Sequence, residues 1–268
     1  MSDEVQQDRG LAPGFAARLR ALTPARVGLG RTGVSLETGD LLDFQRSHSQ
    51  ARDAVHSRLE VVSLAAALKQ VSAREVLRLH SAAPDRRTYL QRPDLGRTLN
   101  ESSRALLAGH RAANEPAPRP LALIVADGLS ALAVERHAPP LIQAMLPLLH
   151  DWQIAPLSVV EQARVAIGDQ IGALLCAEIS IVLIGERPGL SSPDSLGAYI
   201  TWAPRPGRTD AERNCISNIR LEGLSYAHAA AQLGYYLTEA RRRQLTGVSL
   251  KEDADTLRAK KQMSLKEG

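Results

Sequence analysis

The feature that most narrows what this chain can fold into is L-A-L-I-V-A at 121–126, an unbroken apolar run that begins where N-E-P-A-P-R-P (114–120) ends. A strand with one wet face alternates apolar and polar residues, whereas a run this uniform fits a strand buried on both faces of a parallel sheet. Further candidate strands follow at 157–160, 179–185 and 198–202, and helical segments at about 140–151 and 168–176 separate the first three. Strand, helix, strand, helix, strand is the grammar of a doubly wound α/β domain. A last helix, about 225–245, ends in Arg241, Arg242 and Arg243, a sign of charge suited to a helix C-terminus.

Upstream of the prolines the pattern is helical. Leu41, Phe44, Ala51, Val55 and Leu59 recur at spacings of three, four or seven, which predicts a helix from Thr38 to Leu59 with Thr38 or Asp40 as cap and His48 semi-buried on its apolar face. V-V-S-L-A-A-A-L-K-Q (61–70) predicts a second helix, residues 77–80 a short strand, and 97–111 a third helix after the breaks at Pro93 and Gly96. The expected division is a flexible leader (1–22), a mainly helical N-terminal region (23–113), an α/β domain (121–250) and a polar tail (251–268). Three prolines in seven residues mark the linker between the two main parts.

Composition removes several classes of function. At 268 residues the chain can bury real cores, and its 3% aromatic content makes stacking platforms for single-stranded nucleic acid improbable. Thirty-three basic against 29 acidic residues give a net charge of only +4, so no nucleic-acid partner is expected. The two cysteines, Cys176 and Cys215, form neither a disulfide framework nor a zinc knuckle, which fits a reducing compartment. No run approaches the ~18 apolar residues of a membrane span and no secretory h-region is present, so the expected location is cytoplasmic, without membrane association.

Several motifs carry little chemistry. Gly28, Gly30 and Gly33 spell G-x-G-x-x-G, but no buried strand precedes them and the α/β domain begins about ninety residues later, so they predict a turn-rich loop. A dehydrogenase would instead need a glycine-rich turn after Ala126, where only Gly128 stands. Ser130 follows a strand as a nucleophile would, yet G-x-S-x-G is absent. The seven histidines are scattered without metal-ligand spacing, so neither a metal site nor a catalytic residue is assigned.

Three stretches are more informative: A-R-V-A-I-G-D-Q-I-G (163–172), I-G-E-R-P-G-L (184–190) and E-R-N-C-I-S-N-I-R (212–220). The first two leave strands at their carboxyl ends, where open α/β sheets gather ligands, and all three are expected to meet at one crevice. Together with Y-L-Q-R-P-D-L-G-R (89–97), A-D-G-L-S (126–130), D-Q-I-G (169–172), G-E-R-P-G-L (185–190) and C-I-S-N-I (215–219), they make the sequence over about 24–248 resemble the small subunits of ethanolamine ammonia-lyase. That resemblance implies a Rossmann-like C-terminal domain that carries adenosylcobalamin against a large, barrel-shaped subunit, the complex converting ethanolamine to acetaldehyde and ammonia by radical chemistry. The family's cobalamin contacts fall on Val165, Glu186 and Cys215. Absence of D-x-H-x-x-G implies that the cofactor keeps its own benzimidazole on cobalt. A bacterial microcompartment is a second location the family allows, although the short leader lacks the long extension of some members. The rival reading is a noncatalytic nucleotide-binding or scaffold protein on the same fold; bound red cofactor would separate the two.

Overall fold

A computed structural model describes residues 13–23, 25–113 and 120–250. The linker at 114–119, the tail at 251–268 and the first twelve residues of the leader lie outside the described residues. Within the leader, Pro13–Leu22 forms helix α1. A minimal hairpin follows, β1 (Arg31–Thr32) and β2 (Ser35–Leu36), whose turn holds Gly33 at φ 65°. The G-x-G-x-x-G string is therefore a loop and hairpin remote from the main sheet.

That sheet has six strands in the order β3-β5-β4-β6-β7-β8: β3 (Val76–His80), β4 (Leu121–Ala126), β5 (Leu157–Glu161), β6 (Ile179–Gly185), β7 (Leu196–Trp202) and β8 (Arg213–Ile219). The four from β3 to β6 are parallel. The expected parallel sheet thus holds for its centre but not for its far edge, where β7 and β8 run antiparallel. Residues 186–195 and 203–212, which lead into these two strands, contain no α-helix to carry the chain back across the sheet, so each strand returns beside the one before it. β8 itself was not among the expected strands; the stretch 212–220, read in the sequence only as one of three segments meeting at a crevice, contains an edge strand. On the other side β3, from before the prolines, pairs with β5 from Val76↔Leu157 to His80↔Glu161.

Alternation along β4 divides the core. Leu121, Leu123 and Val125 point to a layer built by α3 (Val61–Ser72), α6 (Ala131–Met145) and α8 (Tyr226–Arg243), while Ala122, Ile124 and Ala126 face α5 (Glu101–Ala113) and α7 (Ile167–Leu174). Consecutive crossovers therefore use opposite faces, α6 on one and α7 on the other, as double winding requires. Helix α6 starts nine residues before the expected position and contains Pro139 and Pro140. Its start is fixed by Ser130, whose Oγ accepts from the Ala133 N–H (3.2 Å) and donates to the Pro193 carbonyl (2.9 Å). Burial of Leu141, Ile142 and Met145 carries the helix past the missing proline N–H groups.

Helix α2 (Thr38–His56) has the predicted place but a different phase. Ser47 and Ala54 are its buried residues, and Leu41, Phe44 and His48 are exposed. His48 is stacked on Phe44, ring centroids 6.2 Å apart, rather than lodged in the core. The arginines closing α8 are structural: Arg241 lies 3.3 Å over the Trp152 ring and pairs with Glu178 at 3.2 Å, and Arg242 pairs with Glu239 at 2.7 Å.

Candidate functional site

The carboxyl ends of β4, β5 and β6 are locked together before any ligand is considered. Gly128, at φ 57°, lies so close to β6 that a Cβ there would stand 2.2 Å from the Gly185 carbonyl oxygen, and the Leu129 N–H donates to that oxygen at 2.9 Å. This docking fills the point between β4 and β6 where a two-one-three strand order would otherwise open a crevice. Buried Asp127 accepts from the backbone N–H groups of Gln162 (2.9 Å) and Ala163 (3.0 Å) and faces Arg86 at 3.4 Å. Burial pushes its carboxyl up to about 6 against those donors. Arg86 opens α4 (Arg86–Gln91), an unexpected helix capped by Asp85, and donates to the carbonyls of Gly128 (2.8 Å) and Val55 (2.7 Å). From the same helix the Tyr89 hydroxyl donates to the Ala163 carbonyl at 2.9 Å. The Y-L-Q-R-P-D-L-G-R string is thus a buttress for the loop after β5.

That loop delivers Val165. Gln162 turns the chain at φ 53°, and the Arg164 N–H is fixed by the Gly96 carbonyl at 2.7 Å. Val165, half-buried, packs against the core layer under α7, as does Tyr199 of β7. In the first turn of α7, Asp169 takes both terminal nitrogens of Arg213 at 2.7 Å each, with both side chains buried. One ion pair therefore ties the start of α7 to β8.

Glu186 is the first residue past β6. Its N–H donates to the Ser195 carbonyl (2.9 Å), and its carboxylate accepts from the Ser195 hydroxyl and from the Asn218 N–H (3.3 Å). The carboxylate lies over Gly197, where a Cβ would stand 2.9 Å from Glu186 Oε1 and 3.2 Å from Tyr199 Cε2. Cys215 is exposed in mid-strand on β8, directly across from Tyr199, with its Sγ 3.3 Å from Ser217 Oγ. Burial first, then the neighbouring Cys215 thiol and Glu186 carboxylate, hold the Tyr199 phenol above its ordinary range.

Glu186 and Cys215 therefore meet around Tyr199, and Val165 borders the same core layer. Val165 and Glu186 follow the carboxyl ends of β5 and β6, whereas Cys215 and Ser217 lie exposed along the α7-side face of β8. Tyr199 and Asn218 were not foreseen. The alternation of Gly197, Tyr199 and Thr201 along one face of β7 is the sequence signal that could have found the tyrosine. Among the described residues, no three His, Cys, Asp or Glu side chains gather as a possible metal-ligand set, and no helix is long and apolar enough to cross a membrane.

Comparison with known proteins bears on the family of the whole chain. The family model described as ethanolamine ammonia-lyase light chain matches residues 14–251. A protein of Xanthomonas campestris pv. campestris (strain B100) is 58% identical over 241 residues, covering 89% of this chain and 88% of its own length. Relatives from Pseudomonas paraeruginosa (58%) and Pseudomonas putida (59%), each over 239 residues, cover 88% of this chain and 87% of theirs. All three are named ethanolamine ammonia-lyase small subunit. With a family model spanning nearly the whole chain and relatives of this identity over nearly their whole length, the chain belongs to the ethanolamine ammonia-lyase light-chain family, the small subunits of that lyase.

Proposed function

We propose that this chain binds adenosylcobalamin on the open α7-side face of its sheet and presents it to a large, barrel-shaped subunit, where ethanolamine is converted to acetaldehyde and ammonia. The observation that carries the reading is the placement of Glu186, a carboxylate pre-oriented by Ser195 and Asn218 over Gly197 at the edge of an exposed stretch of strand. A corrin is a broad, flat ring with apolar faces and a fringe of amide side chains. The residues present fit such a group: β8 offers Cys215 and Ser217 uncovered, and the carboxylate supplies the acceptor a fringe amide needs. Val165 and Cys215 contribute packing and backbone groups. When bound, adenosylcobalamin supplies a weak cobalt–carbon bond from which radical chemistry starts.

This chain's part is to bind and orient. Its face is open to water, and its one site carboxylate, held at Oε2 by Ser195 and Asn218, turns Oε1 to the corrin fringe in this reading. A small amino alcohol needs a closed pocket with partners for its ammonium and hydroxyl, which a second protein must complete. The relatives' description as small subunits supports such a partner. The test has two arms. Acetaldehyde formation is expected only when the large subunit accompanies the chain, and turnover by the chain alone would overturn the division of labour. In the assembled complex, Glu186→Ala is expected to weaken cofactor binding roughly ten- to hundredfold, the loss of a charged hydrogen bond worth about 1.5–3 kcal/mol, with unchanged circular dichroism. Unaltered affinity would remove Glu186 from the site.

A further inference from the structure

A second concavity adjoins the proposed shelf. Its volume is about 500 Å³, and it lies between α2, the end of α4, the turn after β4 and the loop after β6. Arg52, Arg164, Arg187 and His48 line it together with apolar side chains such as Leu129 and Leu190, and among the described residues no acidic side chain lines it. Arg164 lies 4.4 Å over the Tyr89 ring, and its Nε is buried without a hydrogen-bond partner. Among the described residues Arg187 makes no ion pair, and Arg52 has only the exposed Asp53 at 3.7 Å. Cations brought together without a counter-charge repel one another, so the cavity is electrostatically incomplete until an anion enters.

The position of these cations limits what that anion can be. Arg164 immediately precedes Val165 and Arg187 immediately follows Glu186, so the cavity and the shelf share a rim. Around the corrin the side chains are neutral amides with one exception, the arm that carries the benzimidazole nucleotide through a phosphodiester. We propose that this cavity receives the phosphodiester of that arm, with Arg187 and Arg164 as its charged partners and the apolar walls against the arm's organic body. Guanidinium forks suit phosphate oxygens in pairs, and a site of this size suits a nucleotide-like group. The inference rests on the proposed cobalamin shelf.

The test compares two corrinoids on the complex with the large subunit: cyanocobalamin, and cobinamide, which has the same corrin and fringe amides but no phosphate, ribose or base. Binding is read by equilibrium titration, without turnover. Arg187→Ala is expected to weaken cyanocobalamin at least tenfold and leave cobinamide within about twofold, and Arg187→Lys to recover part of the loss. Equal losses for both ligands, or no loss for either, would overturn the inference. If the wild-type complex bound neither corrinoid, the shelf itself would be refuted. Inorganic phosphate is the third probe. Weak competition with cyanocobalamin, absent against cobinamide, supports the assignment, whereas phosphate that binds through Arg187 without displacing cyanocobalamin overturns it in favour of a separate anion.

Discussion

Replacing Asp169 by asparagine should damage stability and the proposed site together. The carboxylate takes Arg213 in a two-pronged grip at 2.7 Å on each nitrogen, and the side chains are 3% and 2% exposed. Asparagine keeps the volume but turns one acceptor into a donor aimed at a guanidinium. Arg213 would retain the Thr201 hydroxyl (2.9 Å) and the Arg208 carbonyl (3.1 Å), with exposed Asp210 3.5 Å from its Nε. Removing one member of a buried pair typically costs about 3–5 kcal/mol, and the surviving acceptors place this case near the lower end, about 3 kcal/mol. At a urea dependence of about 3 kcal/mol per molar, the unfolding midpoint should fall by about 1 M with little change in slope. The same bond sets the first turn of α7, four residues past Val165, against the strand that carries Cys215. Corrinoid affinity of the complex, measured below the unfolding transition, should therefore fall as well. A midpoint within about 0.3 M of wild type would refute the estimate, and unaltered affinity in a measurably destabilised variant would refute the coupling.

Three further outcomes are expected. Gly197→Ala brings a methyl within 2.9 Å of Glu186 Oε1 and must push the carboxylate aside, so it should weaken corrinoid binding by no more than Glu186→Ala while shifting the unfolding midpoint little; wild-type affinity would show that the position of the carboxylate over Gly197 does not matter. The Thr209 N–H and the Arg208 guanidinium hold Glu212 down at about 2, so its contribution to stability is present above its ordinary pKa near 4.5 and is lost as pH falls toward 2; Glu212→Gln should flatten that acid limb in denaturation measured from pH 5 to pH 2. Arg241→Ala removes both the stack on Trp152 and the pairing with Glu178, and should lower the thermal midpoint by a few degrees without altering corrinoid affinity.

Where side-chain pattern and backbone chemistry coincide, the fold could be read directly. The apolar runs of β4 and β6 mark central strands because both their faces are buried, and the arginines in the last turn of α8 mark its end. Reading failed where tertiary context decides. β8 has the burial order of an edge strand with one bare face, and R-N-C-I-S-N-I carries too few apolar residues to announce it. Helix α2 shows the right period, but period alone does not say which face a neighbour will cover, and Ser47 and Ala54 are the residues turned inward. Pro140 reads as a helix start, and both it and Pro139 instead sit inside α6. Of the site, the resemblance singled out Val165, Glu186 and Cys215; the roles of Tyr199, Asn218 and Gly197 arise from register between strands far apart in the chain, which no local pattern encodes.

The place of β3 at the sheet's edge has a consequence for how the protein is made. Its partner β5 begins 81 positions later, Val76 opposite Leu157. At a synthesis rate of about 5–20 residues per second, a nascent chain carries β3 for roughly 4–16 seconds before the strand that receives it has been polymerised. During that interval Leu77 and Leu79, buried in the finished sheet, lack the β5 neighbour and have for cover only what α5 supplies on their face once it has been made. β3 therefore completes its pairing only after β5 has been made, and chaperone cover or slow codons between residues 80 and 157 would act on that delay.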